Sequence, residues 1–197
     1  ANTASIAIHN RLNHIKIQQA YSETRTHAAT LKFQMTHDSL TGLPNRMELH
    51  DSLQQTILSK RCEDIGCALL LMDLDNFKEI NDTLGHHNGD ILLQEMGSRL
   101  LNVFDKSAVV ARMGGDEFAV LLPGISRDDA VSAAGKMLEA IGKPYNLEGL
   151  ILQVNASTGI SFCPDHGEEP DLIIQRAEVA MYMAKRSGEG YGVFNAE

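Results

Sequence analysis

The chain has 197 residues, of which 43% are hydrophobic and 22% charged, and its formal charge is −9. That composition fits a globular protein of one sizeable domain plus an appendage. It argues against a general nucleic-acid binder, which needs a basic face to release counterions, and no apolar run approaches membrane-spanning length. The N-terminus has no basic segment followed by an apolar core, which predicts no signal peptide. Cys62, Cys67 and Cys163 fit no zinc ribbon. They predict reduced thiols and a cytoplasmic location.

Residues 1–36 hold no Pro or Gly. Ile8, Leu12, Ile15, Gln19, Ser22, Thr26, Ala29 and Phe33 recur in alternating steps of four and three, a heptad seam. This predicts a long helix. It either pairs with a second copy or packs as a lone amphipathic helix. Domain boundaries follow: 1–36 a coiled-coil-like linker helix, 37–197 the folded domain.

Asn45 and Glu48 read as a capping box that opens a helix over 46–59. Residues 67–72 form a short buried strand. Residues 73–90 read as an irregular polar segment with room for a short helix. Asp90 reads as the N-cap of a helix carrying Leu92, Met96 and Leu100. Residues 107–113 and 118–122 flank Gly114 and Gly115 as a hairpin. Ser126 and Asp129 open a helix that Gly142 and Pro144 stop. Residues 150–162 are strand-like. A last helix starts at Pro170 and ends near Gly188. The order predicts an α+β sandwich, a central, mostly antiparallel sheet flanked by helices.

Two acid clusters stand beside apolar strands. Asp73 and Asp75 end the first strand and share a face if it continues through them. Asp116 and Glu117 sit at the hairpin tip. Acids at a buried strand end cost desolvation unless donors or a cation meet them. Hard carboxylate oxygens with water and phosphate are the usual Mg²⁺ set, and the two glycines admit a phosphate close to the backbone. The other reading is a pair of solvated turns. There is no P-loop motif. A calcium loop from Asp73 would place Phe77 at a ligand and Lys78 where Gly is required. His86 and His87 read as a solvated loop.

Gly114-Gly115-Asp116-Glu117-Phe118 resembles the signature of the GGDEF domain, the diguanylate cyclase family. Three further motifs match in order: 38–46 (DSLTGLPNR), 73–82 (DLDNFKEIND) continued by 85–90, and Ala184-Lys185. The likeness covers about residues 36–194. It implies a nucleotide-cyclase, ferredoxin-like palm. It also implies condensation of two GTP into cyclic di-GMP by a homodimer, with one GTP per protomer. Carried over by motif, Asp73, Asp116 and the Leu74 carbonyl would ligate Mg²⁺, which Mn²⁺ could replace. Asp116 would also accept the proton, and Glu117 would support the metal site or contact the sugar. Lys78 and Lys185 would neutralise triphosphate charge, and Gly114 and Gly115 would admit it. Asn81 and Asp90 would read guanine, with Phe77 alongside. An upstream sensor, with 4–10 resembling the closing helix of a GAF domain, and a downstream EAL phosphodiesterase domain are the implied neighbours. Residues 191–194 resemble the exit toward the latter.

Two departures stand out. The family's inhibitory R-x-x-D site has Asp105 and Ala108 at its charged positions, so product inhibition through it is not expected. The family's G-R-N after the last helix reads Gly188-Glu189-Gly190, which replaces a phosphate-binding cation by an acid.

Overall fold

The structure is a computed structural model and describes residues 18, 21, 25, 30–59 and 66–195. The chain divides into two compact units, residues 1–36 and 37–197. In the first, residues 30–36 are helical, and the Thr36 hydroxyl donates to the Lys32 carbonyl at 2.9 Å. Of the heptad seam only Phe33 is described, and it is 54% exposed. The rest of the seam, and residues 4–10, lie outside the described residues.

The second unit is built on a five-stranded sheet in the order β2-β3-β1-β6-β7. Its elements in chain order are α1 (Arg46–Ile57), β1 (Cys67–Leu74), α2 (Phe77–Leu84), α3 (His86–Val103), β2 (Val109–Gly114), β3 (Glu117–Pro123), α4 (Arg127–Ile141), β4 (Tyr145–Leu147), β5 (Leu150–Leu152), β6 (Ala156–Cys163), α5 (Pro170–Ser187) and β7 (Tyr191–Val193). All pairings in the sheet are antiparallel except β6 with β7. This is the predicted α+β sandwich. Among the described residues no helix is long and apolar enough to cross a membrane.

β1 is apolar from Cys67 to Met72 because both of its faces are covered there. Ala68, Leu70, Met72 and Leu74 join one core with Leu92, Met96 and Leu100 of α3 and Ala130, Ala134 and Met137 of α4. Cys67, Leu69 and Leu71 join a second core with Leu49 and Leu53 of α1 and Ile173, Ala177 and Met181 of α5. Alternation along one strand therefore feeds two layers. Cys67 and Cys163 are buried opposite each other on β1 and β6, and Cys62 lies outside the described residues.

The caps of α1 and α4 stand where the sequence predicts. Asn45 Oδ1 accepts from the N–H groups of Met47 and Glu48, and the Ser126 hydroxyl oxygen from that of Asp129. Four expectations need correction. Residues 73–90 are largely regular: β1 runs on to Leu74, and two helices follow, split at Gly85. Phe77, Ile80 and Leu84 already carried that helical spacing. Asp90 is consequently inside the second turn of α3 rather than its cap, and His86 and His87 are exposed in its first turn rather than in a loop. The strand expected over 150–162 is broken. β4 and β5 form a separate two-stranded hairpin, and β6 begins only at Ala156. Residues Tyr191–Val193 form the edge strand β7, which pairs in parallel with β6.

Candidate active site

The acids sit where three strands end together. Asp73 is in register with Glu117 of β3 and with Ser157 of β6. Residues opposite one another on adjacent strands share a face, so Asp73 and Glu117 face the same side. Asp116 occupies the tip between β2 and β3, where Gly114 and Gly115 take φ of 137° and 54°, values that favour glycine. Burial pushes the Asp116 carboxyl above its ordinary range, and the charge of Asp73 pushes it further. Glu117 is raised by burial, then by Asp73, Glu178 and Asp116. Burial and neighbouring negative charge both disfavour the charged form of an acid, and a nearby cation favours it.

A cation is at hand in Lys185, in the last turn of α5. Its Nζ donates to Asp73 Oδ1 and, at 3.4 Å, to the Leu74 carbonyl, and stands 3.8 Å from Asp75 Oδ1. Burial alone would lower its pKa. The Asp73 hydrogen bond and the charges of Asp73, Asp75 and Asp116 outweigh that and hold the ammonium above the usual lysine value. Asp75 also accepts from the Ser157 hydroxyl at 3.0 Å. Asp73 and Asp75 therefore do share a face. Beside them opens a cleft of about 680 Å³ lined by Asp75, Asn76, Ser157, Lys185 and Glu189.

A second group forms where α2 lies on α3. A Cβ built on Gly89 would come within 2.0 Å of Asn81 Oδ1 and 3.3 Å of Phe77 Cζ. Only a glycine admits that contact, and Asp90 is the next residue. Asn81 and Phe77 therefore both meet α3 at Gly89, and the Asp90 that follows is exposed. Phe77 also packs partly buried against the core. Lys78 stands exposed in the first turn of α2.

The hairpin tip is held from behind by a contact the motif did not reveal. Arg112 Nη1 donates to Asp38 Oδ1 at 2.8 Å, and its Nε and Nη2 donate to the Gly115 carbonyl at 3.1 and 2.6 Å. Asp38 also accepts from the Thr41 N–H and hydroxyl. These donors overcome the burial that would raise the Asp38 carboxyl and hold it below its usual range. The backbone N–H of Arg112 donates to Pro44 at 2.9 Å. The 38–46 motif therefore braces the tip that presents Asp116. No local pattern signals the Asp38 partner of Arg112, which lies 74 residues away.

The oxygens fit a hard cation. An ammonium already rests on the Asp73 carboxylate and the Leu74 carbonyl. Among the described residues no three His, Cys, Asp or Glu side chains gather to hold a metal alone. Mg²⁺ does not need that, since it commonly takes one or two carboxylates and completes its shell with water and phosphate. Asp105 accepts from the N–H and hydroxyl of Ser107 and closes the turn before β2.

The family model for the GGDEF domain of diguanylate cyclases matches residues 35–190. The chain belongs to the GGDEF family. A bifunctional diguanylate cyclase/cyclic di-GMP phosphodiesterase of Pseudomonas aeruginosa, MucR, is 40% identical over 161 residues, covering 81% of this chain and 24% of the relative. The diguanylate cyclase TpbB of the same organism is 39% identical, covering 82% and 38%. The cyclic di-GMP phosphodiesterase PdeR of Escherichia coli is 36% identical, covering 89% and 26%. The chain thus spans about a quarter to two fifths of these relatives. The crystal structure of the TpbB GGDEF domain superposes with a TM-score of 0.76 at 36% identity, covering 80% of this chain and 99% of that one. A coiled-coil and GGDEF structure of DgcB from Caulobacter crescentus shares the fold, with a TM-score of 0.84 at 24% identity, covering 96% and 100%.

Proposed function

We propose that this GGDEF domain is an active diguanylate cyclase that condenses two GTP into cyclic di-GMP and two pyrophosphates, as a dimer with one GTP per protomer. The observation that carries the reading is the meeting of Asp73, Asp116 and Glu117 at one end of the sheet, beside the ammonium of Lys185. Asp73, Asp116 and the Leu74 carbonyl would hold Mg²⁺ or Mn²⁺, which when bound neutralises phosphate charge. The carboxylate of Asp116 takes the proton of the 3′-hydroxyl as that oxygen attacks the α-phosphate of the other GTP and pyrophosphate leaves. Glu117 supports Asp116 from the adjacent position. Gly114 and Gly115 leave the phosphates room, and Lys78 and Lys185 balance their charge. Asp90 accepts from the N1 and N2 edge of guanine, Asn81 adds a polar contact, and Phe77 lies alongside. The work is positioning and charge neutralisation. Two such domains must face each other, and the 1–36 segment acts as the linker helix that pairs them and carries a signal from an upstream sensor.

Glu189, in place of the family's arginine, favours a second reading. In it the domain binds GTP without turning it over and regulates a phosphodiesterase domain in a longer chain. Relatives named as phosphodiesterases carry this domain too. Incubating the dimeric protein with GTP and Mg²⁺ and separating the nucleotides decides between them. Cyclic di-GMP with two equivalents of pyrophosphate supports the cyclase. GTP bound at saturation with no product supports the regulatory module.

A further inference from the structure

We propose that Lys185 and the divalent cation exchange places on Asp73 and the Leu74 carbonyl, so that metal binding releases the lysine to the nucleotide's phosphates. The proposal rests on the metal assignment just made. One Nζ touches the Asp73 carboxylate and the Leu74 carbonyl and stands 3.8 Å from Asp75. Two of these oxygens are assigned to the metal. Two cations cannot share them, because like charges at contact distance repel strongly where burial weakens screening.

Lys185 is built to move aside. It sits in the last turn of α5 on a four-carbon stem, its side chain is 42% exposed, and it borders the cleft that holds Glu189. Among the residues lining that cleft it is the only basic one, since Glu189 stands where the family has arginine. The same ammonium therefore serves two anions in turn. It screens the acids before metal arrives and the phosphates afterwards. Metal alone must displace it at a cost, and nucleotide alone must pull it off Asp73. Together each removes the other's obstacle. Their binding should be mutually reinforcing, and by linkage equally so in both directions.

The test measures Mn²⁺ binding without nucleotide, by the loss of its free electron paramagnetic resonance signal. Parent, Lys185→Met, Lys185→Arg and the double variant Lys185→Met/Asp73→Asn are compared, with thermal melts establishing that each folds. Lys185→Met should bind Mn²⁺ about tenfold more tightly than the parent, and Lys185→Arg should stay near the parent. A non-hydrolysable GTP analogue should tighten Mn²⁺ binding to the parent by a larger factor than to Lys185→Met. Unchanged or weaker Mn²⁺ binding in Lys185→Met overturns the exchange. If Lys185→Met gains affinity and the added Asp73→Asn leaves it intact, the metal lies elsewhere and the site assignment falls along with the exchange.

Discussion

Replacing Arg112 with Ala should loosen the hairpin tip and cost about 3 kcal/mol. The figure follows from the contacts. Arg112 gives one charged hydrogen bond to Asp38 and two to the single carbonyl of Gly115. A hydrogen bond to a charged group is worth roughly 1.5–3 kcal/mol, and the two on one carbonyl count as little more than one. Side-chain exposures of 10% for Arg112 and 22% for Asp38 leave some screening, which trims the total. In a domain of this size the melting temperature should fall by roughly 10 °C. Arg112→Lys can restore only one contact and should recover less than half. A double-mutant cycle with Asp38→Ala, read by denaturant unfolding, should give a coupling of about 1–2 kcal/mol. Asp38 is held below its ordinary value of 3.8, so its share of stability is complete above that pH and is lost as pH falls through the lower folded value. The parent's advantage over Asp38→Ala should therefore shrink below about pH 4. A coupling under about 0.3 kcal/mol would refute the brace.

Three other outcomes follow from the same geometry. Glu189→Arg should tighten GTP binding by about three- to tenfold in titration calorimetry, because it adds a cation at the mouth of the Lys185 cleft. Asp116→Asn should raise the melting temperature at neutral pH. The folded pKa of Asp116 is raised, first by burial and then by Asp73, so the cost of ionising it is absent below the ordinary 3.8 and grows as pH climbs from there to the folded value; the gain should vanish near pH 3.5 in scanning calorimetry. Gly89→Ala should cost about 1–3 kcal/mol in urea unfolding and weaken GTP binding, since its methyl group would meet Asn81 at 2.0 Å.

Most of this fold is legible from local chemistry. The caps at Asn45 and Ser126 and the double-faced strand at 67–72 are each written in a few adjacent residues. The hairpin was legible too, because Gly114 and Gly115 sit between two apolar runs. What escaped depends on distant partners. The three-residue strands β4, β5 and β7 have too few side chains to show a period, and only pairing makes them strands. The Asp90 cap failed because Gly85 caps α3 five residues earlier, with Asn88 Nδ2 bonding the Leu84 carbonyl across the joint. In the site, adjacent acids gave away the two clusters. The Asp38–Arg112 pair and the Ser157–Asp75 bond span 74 and 82 residues, a distance no local pattern bridges.

The central claim is that the acids at the end of β1 and at the hairpin tip act together on GTP. Its most direct test is the initial rate of cyclic di-GMP formation, at saturating GTP and Mg²⁺, by the parent, Asp73→Asn and Asp116→Asn, each shown to be folded and dimeric. The account predicts product from the parent and rates at least about a hundredfold lower from both variants. A variant that keeps most of the parent's rate would contradict it.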